Sequence, residues 1–129
     1  MHTRVLLIED SRFLREALEK SLTRKGFEVR MAADGEEGLR IAQEEGKFDL
    51  IVLDLFLPKL TGYEVLRRLQ EDYASTDIPV LVLSGIAREN ELQDLMNNGA
   101  TQCLAKATLD LAAVVASAES CLHVKQRVA

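Results

Sequence analysis

Cysteine is scarce in this chain. Cys103 and Cys121 are the only two, and their spacing matches no metal or redox motif. That argues against a disulfide-stapled secreted fold and makes reduced thiols in a cytoplasmic protein the expectation. Long apolar runs are missing too. No segment approaches the ~18–20 residues of a membrane span, which argues against membrane insertion. Met1 to Arg4 lead straight into the first apolar run, so no secretory leader is expected. Basic excess is absent, the net charge being −5. A direct nucleic-acid binder is therefore disfavoured, since it would carry a basic stripe. Arg67-Arg68 and the Lys125/Arg127 pair are too small for one and read as solvated faces. With no linker, internal repeat or low-complexity tract, 129 residues at a 47% apolar share make one ordinary domain over 1–129.

What the chain does contain is an alternation of apolar runs and helical periods. Val5-Leu6-Leu7-Ile8 is continuous, as expected of a strand covered on both faces. Phe13, Leu14, Ala17, Leu18 and Leu22 recur at helical spacing, and Gly26 stops that helix. Phe27 to Ala32 predicts a second strand, and the Asp34-Gly35 turn opens a helix to about Glu45, closed by Gly46. Leu50 to Leu53 is the third strand, and Tyr63, Val65, Leu66 and Leu69 mark the third helix. Ile78 to Leu83 predicts a fourth strand with Pro79 tolerated at its start. Leu92, Leu95 and Met96 mark a fourth helix and read as core packing before partner surface. Gln102 to Ala105 is a fifth strand, and a last helix runs from an N-cap at Thr108. Leu122, Val124 and Val128 prolong its apolar content, so 120–129 are expected to extend past the core. Strands alternating with helices in this way predict an α/β fold with a doubly wound, five-stranded parallel sheet.

The ends of the strands carry the chemistry. Glu9-Asp10 follow the first, Asp54 the third, Ser84-Gly85 the fourth and Lys106 the fifth. Each has an ordinary explanation alone: a helix N-terminus, a loop acid, a turn, a surface lysine. Together they line the edge where open parallel sheets bind ligands. Asp10 and Asp54 are hard oxygen donors of the kind Mg²⁺ prefers, with Glu9 close enough to act directly or through water. Ser84 and Lys106 supply a hydroxyl and a point charge for a phosphoryl group, and a carboxylate can itself be the nucleophile that forms an aspartyl phosphate.

These motifs, in this order, resemble the receiver domain of bacterial two-component response regulators over nearly the whole chain. The resemblance rests on Val5-Leu6-Leu7-Ile8-Glu9-Asp10, Asp34-Gly35 with Glu37 and Gly38, Asp54-Leu55-Phe56-Leu57-Pro58 with Thr61-Gly62, Leu81-Val82-Leu83-Ser84-Gly85, and Gly99-Ala100 leading to Lys106. It implies a flavodoxin-like sheet of strand order 2-1-3-4-5. It implies that Asp54 accepts phosphate from a sensor histidine kinase or phosphotransfer protein. Mg²⁺ would be held by Asp10, Asp54 and the backbone carbonyl of Phe56, with Glu9 helping through water. Ser84, the Gly85 amide and Lys106 would bind the phosphoryl oxygens, and the output would go to a downstream protein partner or an attached effector domain.

Two positions depart from the family pattern in chemistry, and a third only mildly. Ala107 stands where proline usually follows the lysine, so a trans Lys106–Ala107 bond is expected. Cys103 stands where the fifth strand usually carries Tyr or Phe, so switching is expected to run through the Gly85-Ile86-Ala87 loop and the start of the fourth helix near Arg88 and Asn90. Leu57, in place of the usual methionine, is a mild apolar swap. An aspartyl phosphatase on a similar sheet would need a second acid two residues past its nucleophile, and Phe56 is there instead. A flavin site would need a Ser/Thr/Gly-rich loop after the first strand, which is missing. A receiver-shaped interaction module acting without phosphorylation is the remaining alternative.

Overall fold

The computed structural model describes residues 2–72, 77–85, 89–106 and 109–128, excluding the side chains of residues 89 and 124–128. Ile86, Ala87, Arg88, the Lys106–Ala107 bond and the Thr108 cap lie outside the described residues. The elements are β1 (Arg4–Ile8), α1 (Arg12–Arg24), β2 (Glu28–Ala32), α2 (Gly35–Glu44), β3 (Leu50–Asp54), α3 (Gly62–Glu71), β4 (Val80–Ser84), α4 (Glu89–Asn97), β5 (Gln102–Ala105) and α5 (Leu111–Val128). The strands are all parallel, in the order β2-β1-β3-β4-β5.

Within each continuous apolar run the pleat sorts side chains onto two faces. Leu6, Ile8, Ile51, Leu53, Val80 and Val82 point to one face and pack with Leu39 and Ile41 of α2, Val65, Leu66 and Leu69 of α3, and Leu95 of α4. Val5, Leu7, Leu50, Val52, Leu81 and Leu83 point to the other, against Leu18 and Leu22 of α1 and Val114, Val115, Ala118 and Cys121 of α5. Covering both faces is what a continuous apolar strand requires. It leaves only the strand ends for polar groups. Cys121 is still fully enclosed and Leu122 still packs on the core, so the burial on α5 continues past residue 120.

Several local readings shift. Phe27 is not part of β2, because its N–H donates to Leu22 O at 3.2 Å and, with Gly26 at φ 96°, closes the end of α1. Pro79 lies before β4, and the strand runs on to Ser84, which pairs with Ala105. In α5 the described cap is Asp110, whose Oδ1 accepts from Ala112 N–H at 3.0 Å. Phe13 is 85% exposed, since the buried stripe of α1 runs through Leu14, Leu18 and Leu22 and Phe13 lies about 100° round the helix from Leu14. Met96 is exposed while Leu95 beside it is buried.

Candidate functional site

Register brings the strand ends level. Ile8 pairs with Leu53, so Glu9 emerges beside Asp54. Asp54 pairs with Leu83, which places Ser84 one step beyond it, and Ser84 pairs with Ala105, which places Lys106 one step further. The winding reverses between β1 and β3, and ligand crevices form at such a point.

Asp54 and Glu9 are both fully buried. Asp54 Oδ1 accepts from Phe56 N–H at 3.2 Å, and Glu9 Oε2 from Ser11 N–H at 3.0 Å. Lys106 Nζ sits between their other oxygens, 3.1 Å from Asp54 Oδ2 and 3.0 Å from Glu9 Oε1. Neither of those oxygens has a well-directed hydrogen bond, so the ammonium holds them chiefly by charge. Asp10 is exposed, yet its carboxylate, with those of Glu9 and Asp54, offers ligand oxygens within 4.8 Å of one another. Ser84 is buried at the end of β4, and Gly85 lies exposed beside it. Phe56 is 52% exposed, and a side-chain carbon added at Gly85 would rest 3.6 Å from its ring. Seven of the residues singled out from the sequence thus lie at one edge of the sheet: Glu9, Asp10, Asp54, Phe56, Ser84, Gly85 and Lys106.

The electrostatics follow from burial. Desolvation raises the carboxyl pKa of both Glu9 and Asp54, and the Lys106 ammonium only partly offsets it. Burial alone would lower the Lys106 pKa, but its contacts with the two carboxylates outweigh that and raise it, so it stays an ammonium. Three carboxylates face one ammonium, and the two buried ones are under-compensated. A divalent cation with oxygen preference fits that deficit and that donor set.

The chain's approach to the site depends on Gly62. Thr61 caps α3, its side chain accepting from Glu64 N–H, and Gly62 N–H donates to Leu55 O at 2.9 Å. A Cβ at Gly62 would lie 2.3 Å from Asp54 O, so only glycine lets α3 start this close to the Asp54 backbone. One residue not singled out from the sequence also reaches the site. Arg15 Nη1 donates to Glu9 O at 2.9 Å and to Asp10 O at 3.3 Å. Its only sequence signal is a basic residue just over one turn into the helix that follows the acid pair, and surface arginines share it.

Comparison with known proteins agrees with this geometry. The family described as response regulator receiver domain matches residues 5–119. A transcriptional regulatory protein of Streptomyces coelicolor, AfsQ1, is 44% identical over 88 residues, 68% of this chain and 36% of the relative. This chain spans between 32% and 45% of the lengths of the curated relatives it matches. A CheY-like receiver domain from Methanospirillum hungatei JF-1 superposes with a TM-score of 0.90 over 100% of both chains at 22% identity, which speaks to fold alone. The receiver domain of sensor histidine kinase PA1611 from Pseudomonas aeruginosa PAO1, solved with a magnesium ion coordinated in its active-site cleft, gives a TM-score of 0.84 at 25% identity, over 95% of this chain and 99% of that one. Family match and sheet order agree, and the chain belongs to the response regulator receiver domains, the signalling modules of two-component systems.

Proposed function

We propose that this receiver is switched by phosphorylation of Asp54, with Mg²⁺ as cofactor, and passes the signal to a protein partner or an attached effector. The observation that carries the reading is the buried Asp54 carboxylate, held by Lys106 at 3.1 Å and grouped with Glu9 and Asp10 within 4.8 Å. The donor is a phosphohistidine of a sensor kinase or phosphotransfer protein. An Asp54 oxygen attacks phosphorus, the new O–P bond forms as the P–N bond breaks, and the imidazole leaves. Lys106 exchanges one carboxylate contact for a phosphoryl oxygen, and the Ser84 hydroxyl and Gly85 N–H donate to the others. Asp10, Asp54 and the Phe56 carbonyl would hold Mg²⁺, with Glu9 acting through water; when bound it supplies positive charge against the phosphoryl oxygens. The domain is a signalling module whose chemistry is confined to its own phosphorylation and dephosphorylation.

Mass spectrometry after incubation with Mg²⁺ and a small acyl phosphate tests the reading. One phosphoryl group on Asp54 is expected, absent from Asp54→Ala and slower to appear in Asp10→Ala. Undiminished labelling of Asp54→Ala would overturn the assignment. No labelling of the parent would favour a module that works without phosphate.

A further inference from the structure

We propose that Arg15 is the positioning residue of the cation site: it orients Asp10 by clamping the peptide units on both sides of it. The proposal rests on the phosphoacceptor reading above and adds a residue to it.

Asp10 is the exposed member of the acid group, so its side chain is not enclosed as those of Glu9 and Asp54 are. Its backbone is fixed instead. The Glu9 carbonyl, on the N-terminal side of Asp10, accepts from Arg15 Nη1 at 2.9 Å. The Asp10 carbonyl, on its C-terminal side, accepts from the same nitrogen at 3.3 Å. The amide of that second peptide unit, Ser11 N–H, donates to Glu9 Oε2 at 3.0 Å. The 10–11 peptide is therefore tied at both its oxygen and its nitrogen, and the 9–10 peptide at its oxygen. With the planes on either side restrained, both dihedrals of Asp10 are restrained, and with them its Cα–Cβ direction. Arg15 is itself held, because its own N–H donates to Ser11 O at 2.8 Å, the first helical bond of α1, and its side chain is partly buried. The clamp couples the frame of α1 to the aim of one carboxylate.

A guanidinium suits the task because the two N–H bonds of Nη1 are fixed in its plane and can each serve one carbonyl. It also brings a positive charge near a site meant for a dication, and that charge acts in the opposite direction. If Arg15 mattered only through charge, removing it would tighten cation binding, and lysine would behave as arginine does. If it matters through the clamp, removing it loosens binding, and lysine, whose shorter side chain ends in a freely rotating ammonium, does not restore it fully. The two roles differ in sign.

Mg²⁺ titration of the whole protein, followed by amide chemical shifts and by calorimetry, separates them in the parent, Arg15→Met and Arg15→Lys. The Kd for Mg²⁺ is expected to rise about threefold to tenfold in Arg15→Met, at the low end of or below the ~10–100-fold typical when a residue supporting a ligand is lost. Arg15→Lys should fall between it and the parent. The Mg²⁺ concentration for half-maximal acyl-phosphate labelling should rise by the same factor, with a smaller loss of rate at saturating Mg²⁺. Parent protein that binds no Mg²⁺ would sink the site reading itself. Parent protein that binds, with Arg15→Met binding as tightly or more tightly, would leave that reading standing and remove Arg15 from it.

Discussion

Lys106 stands between two carboxylates that burial disfavours as anions, and that balance predicts how the metal-free protein responds to pH. The Asp54 carboxyl has a folded pKa above its ordinary value, with desolvation the largest cause. A group shifted upward lends its stabilisation below its unfolded pKa and loses it as pH rises through the folded one. At neutral pH without Mg²⁺, burial of the Asp54 carboxyl therefore weakens the fold. Metal-free Asp54→Asn should melt higher than the parent at neutral pH, and the gap should close on acidification into the carboxylate range. A variant that melts lower at neutral pH would contradict this. A second expectation concerns Phe56, whose exposed ring lies against Gly85 at the rim of the site. It can exclude water from an aspartyl phosphate but cannot orient or deprotonate it. Phe56→Asn should shorten the phosphorylated lifetime, read as the decay of the labelled mass; an equal or longer lifetime counts against the shielding role.

The docking of α3 and α5 depends on very short-range features. An alanine at Gly62 would drive its Cβ against Asp54 O and Leu55 Cα, both backbone atoms that cannot swing aside. Such overpacking costs roughly 1–3 kcal/mol, more than the ~1 kcal/mol helix preference of alanine over glycine. Gly62→Ala should melt several degrees lower and also label more slowly, because the same shift moves the Asp54 backbone. Thermal melts and acyl-phosphate labelling together check it, and an unchanged rate would show that the α3 start does not position Asp54. On the opposite face, Gln102 of β5 holds α5 at two points one turn apart, donating to Ser117 Oγ at 3.3 Å and accepting from Cys121 Sγ at 3.7 Å. Burial raises the Cys121 thiol to about 11, so it stays protonated and acts as a donor here. The exposed cluster of Glu64, Arg67, Arg68 and Glu71 on α3 contributes little by comparison, since surface pairs of this kind are screened by solvent.

For the molecule as a whole, the proposed phosphorylation would act as a shift between two populations of one fold. Cys103, half-buried against the α2–α3–α4 side, is too small to swing into space vacated near Ser84. The route expected instead runs from Ser84 through the segment after Gly85 to α4. The partner surface is expected on α4, β5 and α5, where Met96 and Leu111 are exposed. Amide exchange with and without a phosphate mimic should change after Ser84 and along α4. Changes confined to α1 would rule this route out. A Cys103→Tyr variant with unaltered partner affinity would remove that position from the switch.

Fold class and the polar strand ends were legible from local signals. Apolar runs of strand length, glycine stops and a polar residue closing four of the five runs are properties of neighbouring residues, and they suffice to predict a parallel α/β sheet with Asp10, Asp54, Ser84 and Lys106 on one edge. Which face each strand residue serves was hidden, because a strand buried on both sides shows no alternation. Phe13 reads as core in a periodic helix, yet only packing decides which stripe meets the sheet. The bridging of Glu9 and Asp54 by Lys106 depends on strand register, and the hold of Arg15 on the Glu9 and Asp10 carbonyls on how α1 folds back over its own entry loop. Both join groups through space, and no spacing along the chain encodes them.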